Sequence, residues 1–231
     1  MMQYIRLSEE RGHVDFSWLQ SKHSFSFGHY YDPKHMGVSV LRVINDDIVA
    51  PGAGFGAHGH RDMEIISYVL SGSLEHQDST GNRYKITAGE VQRMSAGSGI
   101  MHSEYNGSKT EPVNFLQIWI QPKHKGRKPS YQQKYIKQQG VLTPLVSETG
   151  VADSLTLDQD VLLSRLVLTK GDDYRLHDQH YVTYVHIIEG QAEIAERQFK
   201  AGDGFALAPN EAVNISAQSD FQALHFLLPN D

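Results

Sequence analysis

Apolar positions along this chain come in short runs or in alternation, and Gly, Asn, Asp or Ser interrupts each of them. The runs Val38–Val43, Ile65–Leu70, Leu74–Asp78, Val91–Met94 and Phe115–Ile120 are followed by Leu162–Leu168, Tyr184–Ile188, Phe205–Ala208 and Leu224–Leu228. Turn signals stand between them: Asn45-Asp46-Asp47, Ser71-Gly72, Thr80-Gly81-Asn82, Ala96-Gly97-Ser98-Gly99 and Glu189-Gly190. Short strands at regular spacing, separated by turn residues, predict an all-β sandwich or barrel. No long segment carries a 3.6-residue period, so helices are expected to be few and short.

The two halves repeat one order. Gly52, His58, Ile65–Leu70, Ser71-Gly72 and Ala88-Gly89-Glu90 are answered by Gly171, His177, Tyr184–Ile188, Glu189-Gly190 and Ala201-Gly202-Asp203. This predicts a duplicated barrel in which one half keeps a polar site. The polar stretch between Pro122 and Pro144 reads as the joint, with room for one short helix. The expected division is 1–125 as a metal-binding barrel, 126–145 as a linker, and 146–231 as a degenerate barrel without metal.

Composition removes several function classes. The chain has 231 residues and no cysteine, so disulfide, zinc-finger, thiolate and iron–sulfur chemistry are all excluded. The formal net charge is −6, and the only basic block is Lys123–Lys128, which reads as a solvated stretch; no nucleic-acid partner is expected. The start has no apolar core of a signal peptide, and no run reaches the length of a membrane span. A soluble, cytoplasmic monomer is the expectation. The anomaly is thirteen histidines, since neutral imidazole is the commonest metal ligand.

Position decides which of them carry chemistry. Residues i and i+2 of a strand share a face, so His58-Gly59-His60 presents two imidazoles side by side. His102-Ser103-Glu104 repeats that spacing with one imidazole and one carboxylate. If the two strands pair, His58, His60, His102 and Glu104 form one mixed nitrogen and oxygen set. Such a set suits Fe, Mn, Ni, Co, Cu or Zn. Four ligands on a six-coordinate ion leave two positions open, as catalytic sites require.

Glu64 is the rival carboxylate, because it has the same parity as His60. Its bland reading is an ion pair with Arg61 or Arg93, and Glu104 is favoured because it needs no bend to reach the ion with His102. Asp46 and Asp47 read as turn formers. Trp18, Phe25, Phe27, Tyr30 and Tyr31 read as an aromatic strand packed on a barrel rather than a stacking surface. His76 reads as a hydrogen-bonded strand residue. In the second half, Leu176 and Asp178 fall where His58 and His60 stand, counted back from Gly190.

Here the motifs resemble a known family. Gly52-x5-His58-x-His60-x3-Glu64, followed by Gly89-x5-Ser95-x-Gly97 and His102-x3-Asn106, resembles the two cupin motifs. It departs from the generic pattern in a displaced second-motif His and in Ser95 where Pro is usual. Those departures, with HSFSFGHYYDP, LRVINDD, HGHRDMEIISYVLSGSLEHQDS and SAGSGIMHSEYN, resemble the pirin family over about Trp18–Pro122. The likeness extends to short bacterial pirin-like proteins assigned as quercetin 2,3-dioxygenases. It implies a bicupin of two stacked, jelly-roll-like barrels. It places one metal ion, iron(II) by family habit, on His58, His60, His102 and Glu104.

Three functions compete. A dioxygenase would act on a flavonol-like aromatic with dioxygen, Glu104 serving as ligand and as base for the substrate hydroxyl. A non-enzymatic regulator would instead use the metal to tune contact with a protein partner. An isomerase or other oxygenase on a small polar substrate would need charged residues in the pocket.

Overall fold

The computed structural model describes residues 2–230. Among them the only helices are two 3-10 turns, Ser8–Glu10 and Val151–Asp153, and everything else regular is strand. The chain divides into two compact units, one of residues 12–136 and 155–159, the other of residues 2–11, 137–154 and 160–230.

The first unit has two antiparallel sheets. The larger runs Ser130–Tyr135, Glu90–Ser95, Glu64–Ser71, Val113–Ile120, Leu41–Val49, Leu19–His23, Gly12–Asp15. The smaller runs Gly54–His60, Ile100–Asn106, Ser73–Asp78, Arg83–Thr87. The second unit repeats the plan. Its larger sheet includes Met2–Arg6, Gly204–Leu207, Val182–Glu189, Phe221–Leu228, Leu162–Leu168 and Leu142–Ser147. Its smaller sheet runs Asp173–His177, Ala212–Ala217, Gln191–Ile194, Arg197–Lys200. The sheets are jelly-roll-like rather than closed barrels.

One glycine per unit fixes the turn that sets the register. Gly72 and Gly190 both have positive φ, and a Cβ there would lie 2.7 Å from the Pro112 carbonyl oxygen and 2.0 Å from that of Asp220. Only glycine meets both demands.

Several expectations shift. Met2–Arg6 pairs with Gly204–Leu207, so the first residues complete the second unit. The 126–145 stretch, read as a linker, holds Ser130–Tyr135 paired with Glu90–Ser95 and the start of Leu142–Ser147. Its alternation Tyr131-Gln132-Gln133 suits an edge strand, and polar side chains do not prevent pairing there. Residues 155–159 return to the first unit, where Thr156 N–H donates to Gln132 Oε1 and Arg93 Nε donates to the Thr156 carbonyl. The strand expected at Val38–Val43 is Leu41–Val49, so Asn45, Asp46 and Asp47 are not a turn but the middle of a strand. Asn45 and Asp47 are buried, which reverses the usual rule that such residues stay at loops.

The first unit's interior explains that reversal. Directly opposed residues in antiparallel strands share a face. His23 opposes Asn45, Asn45 opposes Gln117, Gln117 opposes Ser67, and Ser67 opposes Gln92. A polar row therefore crosses five strands of the larger sheet. Apolar clusters lie beyond it, one built on Val49, Val69, Leu74 and Phe115, the other on Ile65, Met94, Ala96 and Ile100.

Candidate metal centre and its cavity

Gly54–His60 and Ile100–Asn106 are neighbours, with His102 opposite His58 and Ile100 opposite His60. The i, i+2 spacing therefore delivers three imidazoles to one place. Ligand nitrogens of His58, His60 and His102 lie within 4.8 Å of one another. A register shift between His102 and Glu104 brings Glu104 opposite Phe55, and on its other side Glu104 opposes His76. Glu104 groups with His102 and His76, again within 4.8 Å, rather than with all three imidazoles at that distance.

The arrangement fits a metal ion. His58 Nδ1 donates to the Gly56 carbonyl at 2.8 Å, which leaves the Nε2 lone pair free. That Nε2 lies 3.0 Å from His102 Nε2. Two nitrogens sharing an ion at about 2.1 Å, with a right angle between them, are about that far apart. His60 Nε2 is buried with no hydrogen-bond partner in the protein. Burial is the first cause that depresses two of these imidazoles, and the neighbouring rings add to it: His60 falls to about 4 and His102 to about 3. Neutral imidazole is the form that ligates.

Glu104 is 1% exposed and accepts hydrogen bonds from Ser67 Oγ at 3.1 Å and Gln117 Nε2 at 2.7 Å. Trp119 Nε1 donates to Gln117 Oε1 at 3.2 Å, which fixes that amide's orientation. Behind His102, His76 Nε2 donates to Asp78 Oδ2 at 3.0 Å. Burial alone would raise Asp78, but hydrogen bonds from Thr80, His76 and Asn82 outweigh it and hold the carboxyl well below the usual range.

Glu64 does not join the site. Asp62, with φ of 50°, turns the chain after His60, and Glu64 starts a new strand on the face opposite Ser67. Its carboxylate accepts from Ser95 Oγ at 2.7 Å, and burial pushes its pKa up.

His58, His60 and Glu104 open onto a cavity of about 660 Å³. Its walls are aromatic, from Phe16, Trp18, Phe27, Phe55 and Trp119. Its polar lining includes Ser21, Asn45, Asp47 and Gln117. Asp47 is pushed up to about 7, first by burial and further by the charges of Asp46 and Glu104, with the Ser21 hydroxyl opposing.

Sequence reasoning missed this lining. Trp18 and Phe27 form cavity wall rather than packing alone, whereas Phe25 is buried and Tyr31 is exposed. Asp47 was hidden by the Asp-Asp pair. The available signal was parity: Val43, Asn45, Asp47 and Val49 alternate with Ile44, Asp46 and Ile48. His177 and His180 are exposed, away from the buried interior of their unit.

The family description Pirin matches residues 4–120, and Quercetinase C-terminal cupin domain matches residues 144–228. A quercetin 2,3-dioxygenase of Escherichia coli strain K12 is 44% identical over 230 residues, 99% of each chain. The crystal structure of the E. coli pirin YhhW in complex with nickel(II) is similar at a TM-score of 0.94 and 43% identity, covering 99% of both chains. A Bacillus subtilis oxalate decarboxylase shares the fold alone, with a TM-score of 0.73 at 8% identity over 99% of this chain and 78% of that one.

Proposed function

We propose, from the premise that this chain belongs to the pirin family, that it is a metal-dependent dioxygenase acting on quercetin or a related flavonol. The observation that carries this reading is a trio of converging imidazoles beside a buried carboxylate, with His58, His60 and Glu104 lining an aromatic-walled cavity. The size suits one planar polyphenol, since pockets of roughly 300–1,000 Å³ hold drug-sized ligands. Dioxygen is the second substrate.

His58, His60, His102 and Glu104 hold one divalent ion in this reading. Iron(II) is the physiological choice we assign, following the family resemblance. The donor set accepts several ions, and the E. coli relative binds nickel(II). A bound ion supplies Lewis acidity, which lowers the pKa of a substrate hydroxyl.

The chain's own groups do the rest. Ser67 and Gln117 hold the Glu104 carboxylate in place, and Glu104 receives the hydroxyl proton. Trp18, Phe27 and Trp119 stack on or edge against the flavonol rings and orient them. The apolar walls also keep water from the activated substrate. Among the described residues no helix is long and apolar enough to cross a membrane.

Oxygen uptake by metal-loaded protein with quercetin tests the reading, alongside elemental analysis of the purified protein. Turnover should need both dioxygen and metal. Glu104→Gln should lower kcat by about 100-fold, within the range for a general base. Absent or oxygen-independent turnover would reject the assignment.

A further inference from the structure

The polar row on the larger sheet contains more hydrogen-bonding capacity than the metal centre uses. Gln117 and Ser67 are committed to Glu104. Asn45 is not, and Asp47 meets only the hydroxyl of Ser21, which faces it from the neighbouring strand. Asn45 and Asp47 are two residues apart on Leu41–Val49, so they face the same way, and both line the cavity. They are 3% exposed each, and Oδ1 of each has no hydrogen-bond partner in the protein.

Two buried acceptors without partners in one strand are a cost to folding. Leaving a buried polar group unsatisfied is unfavourable. Native structures pair such groups almost without exception, so each one left open calls for a ligand or another partner. The same cavity holds Glu104 as well, and a third carbonyl-type acceptor cannot satisfy the first two. A partner for the two Oδ1 atoms must donate, as water in the free cavity or a hydroxyl of a bound ligand would. A cation would donate nothing, and three imidazoles already serve a metal elsewhere in the cavity. A neutral O–H donor on a flat, apolar body fits both the acceptors and the aromatic walls.

We propose that Asp47 and Asn45 form a recognition site for a phenolic hydroxyl of the substrate, distinct from the hydroxyl that reacts at the metal centre. This rests on the dioxygenase reading for the identity of the body that carries the hydroxyl. It adds a consequence which that reading lacks: selection among flavonols by their additional hydroxyls. The discrimination has a sharp physical source. An analogue lacking the hydroxyl would leave Asp47 Oδ1 buried and still unpaired, and sites built this way reject deoxy analogues far more strongly than apolar pockets reject a change of size. Asp47 is therefore a specificity residue, acting through substrate contact rather than through the metal.

The pair of probes is quercetin and 3-hydroxyflavone, which keeps the reacting hydroxyl and lacks the others. Binding is read by quenching of tryptophan emission, because the chain's two tryptophans, Trp18 and Trp119, both line this cavity. Turnover of both compounds is measured in parallel. The unmodified protein should bind quercetin at least 10-fold more tightly than 3-hydroxyflavone. Asp47→Leu should bring that ratio close to one, and its metal content, read by elemental analysis, should stay that of the unmodified protein. Asp47→Asn keeps an acceptor oxygen at the same place and should retain the preference. Asn45→Ala gives a second, smaller perturbation should Asp47→Leu fail to fold, and should lower the ratio by about 3-fold. An unchanged ratio in a folded Asp47→Leu protein, or in Asn45→Ala where that variant alone folds, would overturn the inference. If neither compound is turned over, the dioxygenase reading fails, and the binding ratio still decides this one.

Discussion

The two units share a plan and differ in what fills it. Counted back from the hairpin glycines Gly72 and Gly190, Ser67 corresponds to Val185 and His58 to Leu176. Following the pairing outward from those positions, the row Gln92, Ser67, Gln117, Asn45, His23 becomes Phe205, Val185, His225, Ser164, Pro144. Asp47 and Ser21 become Leu166 and Leu142. The opposed pair His58–His102 becomes Leu176–Val213. The second interior is accordingly one apolar cluster, with Leu166, Leu176, Phe199, Phe205 and Ile215 at its heart.

What the contrast teaches is that turn glycines and strand alternation specify this fold, whereas the interior row specifies chemistry. An apolar interior stabilises through burial at about 25 cal/mol per Å² of apolar surface. The polar row forgoes part of that gain. His225 and Ser164 show the intermediate condition: both are buried in the second unit, and the His225 Nδ1 and Ser164 Oγ atoms have no partner. Burial, as the leading cause, depresses His225 to about 4.

Removing one imidazole from each unit breaks the comparison most directly. His102→Ala should remove most bound metal, by 10-fold or more, whereas His177→Ala should leave metal content unchanged by elemental analysis. Equal losses would show that the two interiors are not divided as described.

Acid provides the next test. His60 and His102 have folded-state pKa values of about 4 and about 3, below the 6.5 of an unperturbed imidazole. Between those limits the unfolded chain binds more protons than the native one, so stability falls as pH falls. Above pH 6.5 neither state is protonated at these groups and the effect vanishes. Asp47, raised to about 7, acts with the opposite sign over the same range, so the histidine contribution is read by difference: between pH 6.5 and pH 4 the melting temperature of metal-free protein should fall more steeply than that of a His60→Gln/His102→Gln variant. His225 contributes with the same sign as His60 and His102, so part of the histidine slope remains in that variant.

The smallest effect concerns Gln92, which is fully buried with neither amide atom partnered in the protein. Its counterpart is Phe205. Gln92→Leu should raise stability by about 1 kcal/mol, read by denaturant unfolding. A destabilised variant would mean that the amide is satisfied through the metal centre.

These same residues show how far the sequence could be read. The all-β texture and the duplication were visible because turn residues and alternation are local signals. The shared face of His58 and His60 was legible from spacing alone, since i, i+2 fixes a face whatever the rest of the fold does, whereas the arrival of His102 depended on a strand pairing that spacing leaves open. Glu64 stood as a rival to Glu104 by parity, because the turn at Asp62 that resets the face between His60 and Glu64 leaves no local signal. Asp47 misled by composition: two adjacent aspartates look like a turn until the neighbouring strands show that alternate residues face a cavity. The aromatic walls come from Gly12–His23, Phe27, Phe55 and Trp119, whose meeting depends on strand order, and strand order is not a local property.

The pairing of Met2–Arg6 with Gly204–Leu207 bears on the order of events during synthesis. Chains emerge from the ribosome N-terminus first, and units fold as they become complete. Residues 12–136 can assemble the histidine-bearing unit early, but the first strand must wait, unpaired, until almost two hundred further residues have been made. Closing so long a loop is slow, and a waiting strand edge is exposed to pairing with the wrong chain. Arg6 and the charged Glu9, Glu10 and Arg11 that follow this strand keep the waiting segment from being wholly apolar. Nascent chains arrested before residue 204 should thus hold a formed histidine cluster and a protease-sensitive leading segment, which full-length chains protect by pairing it with Gly204–Leu207.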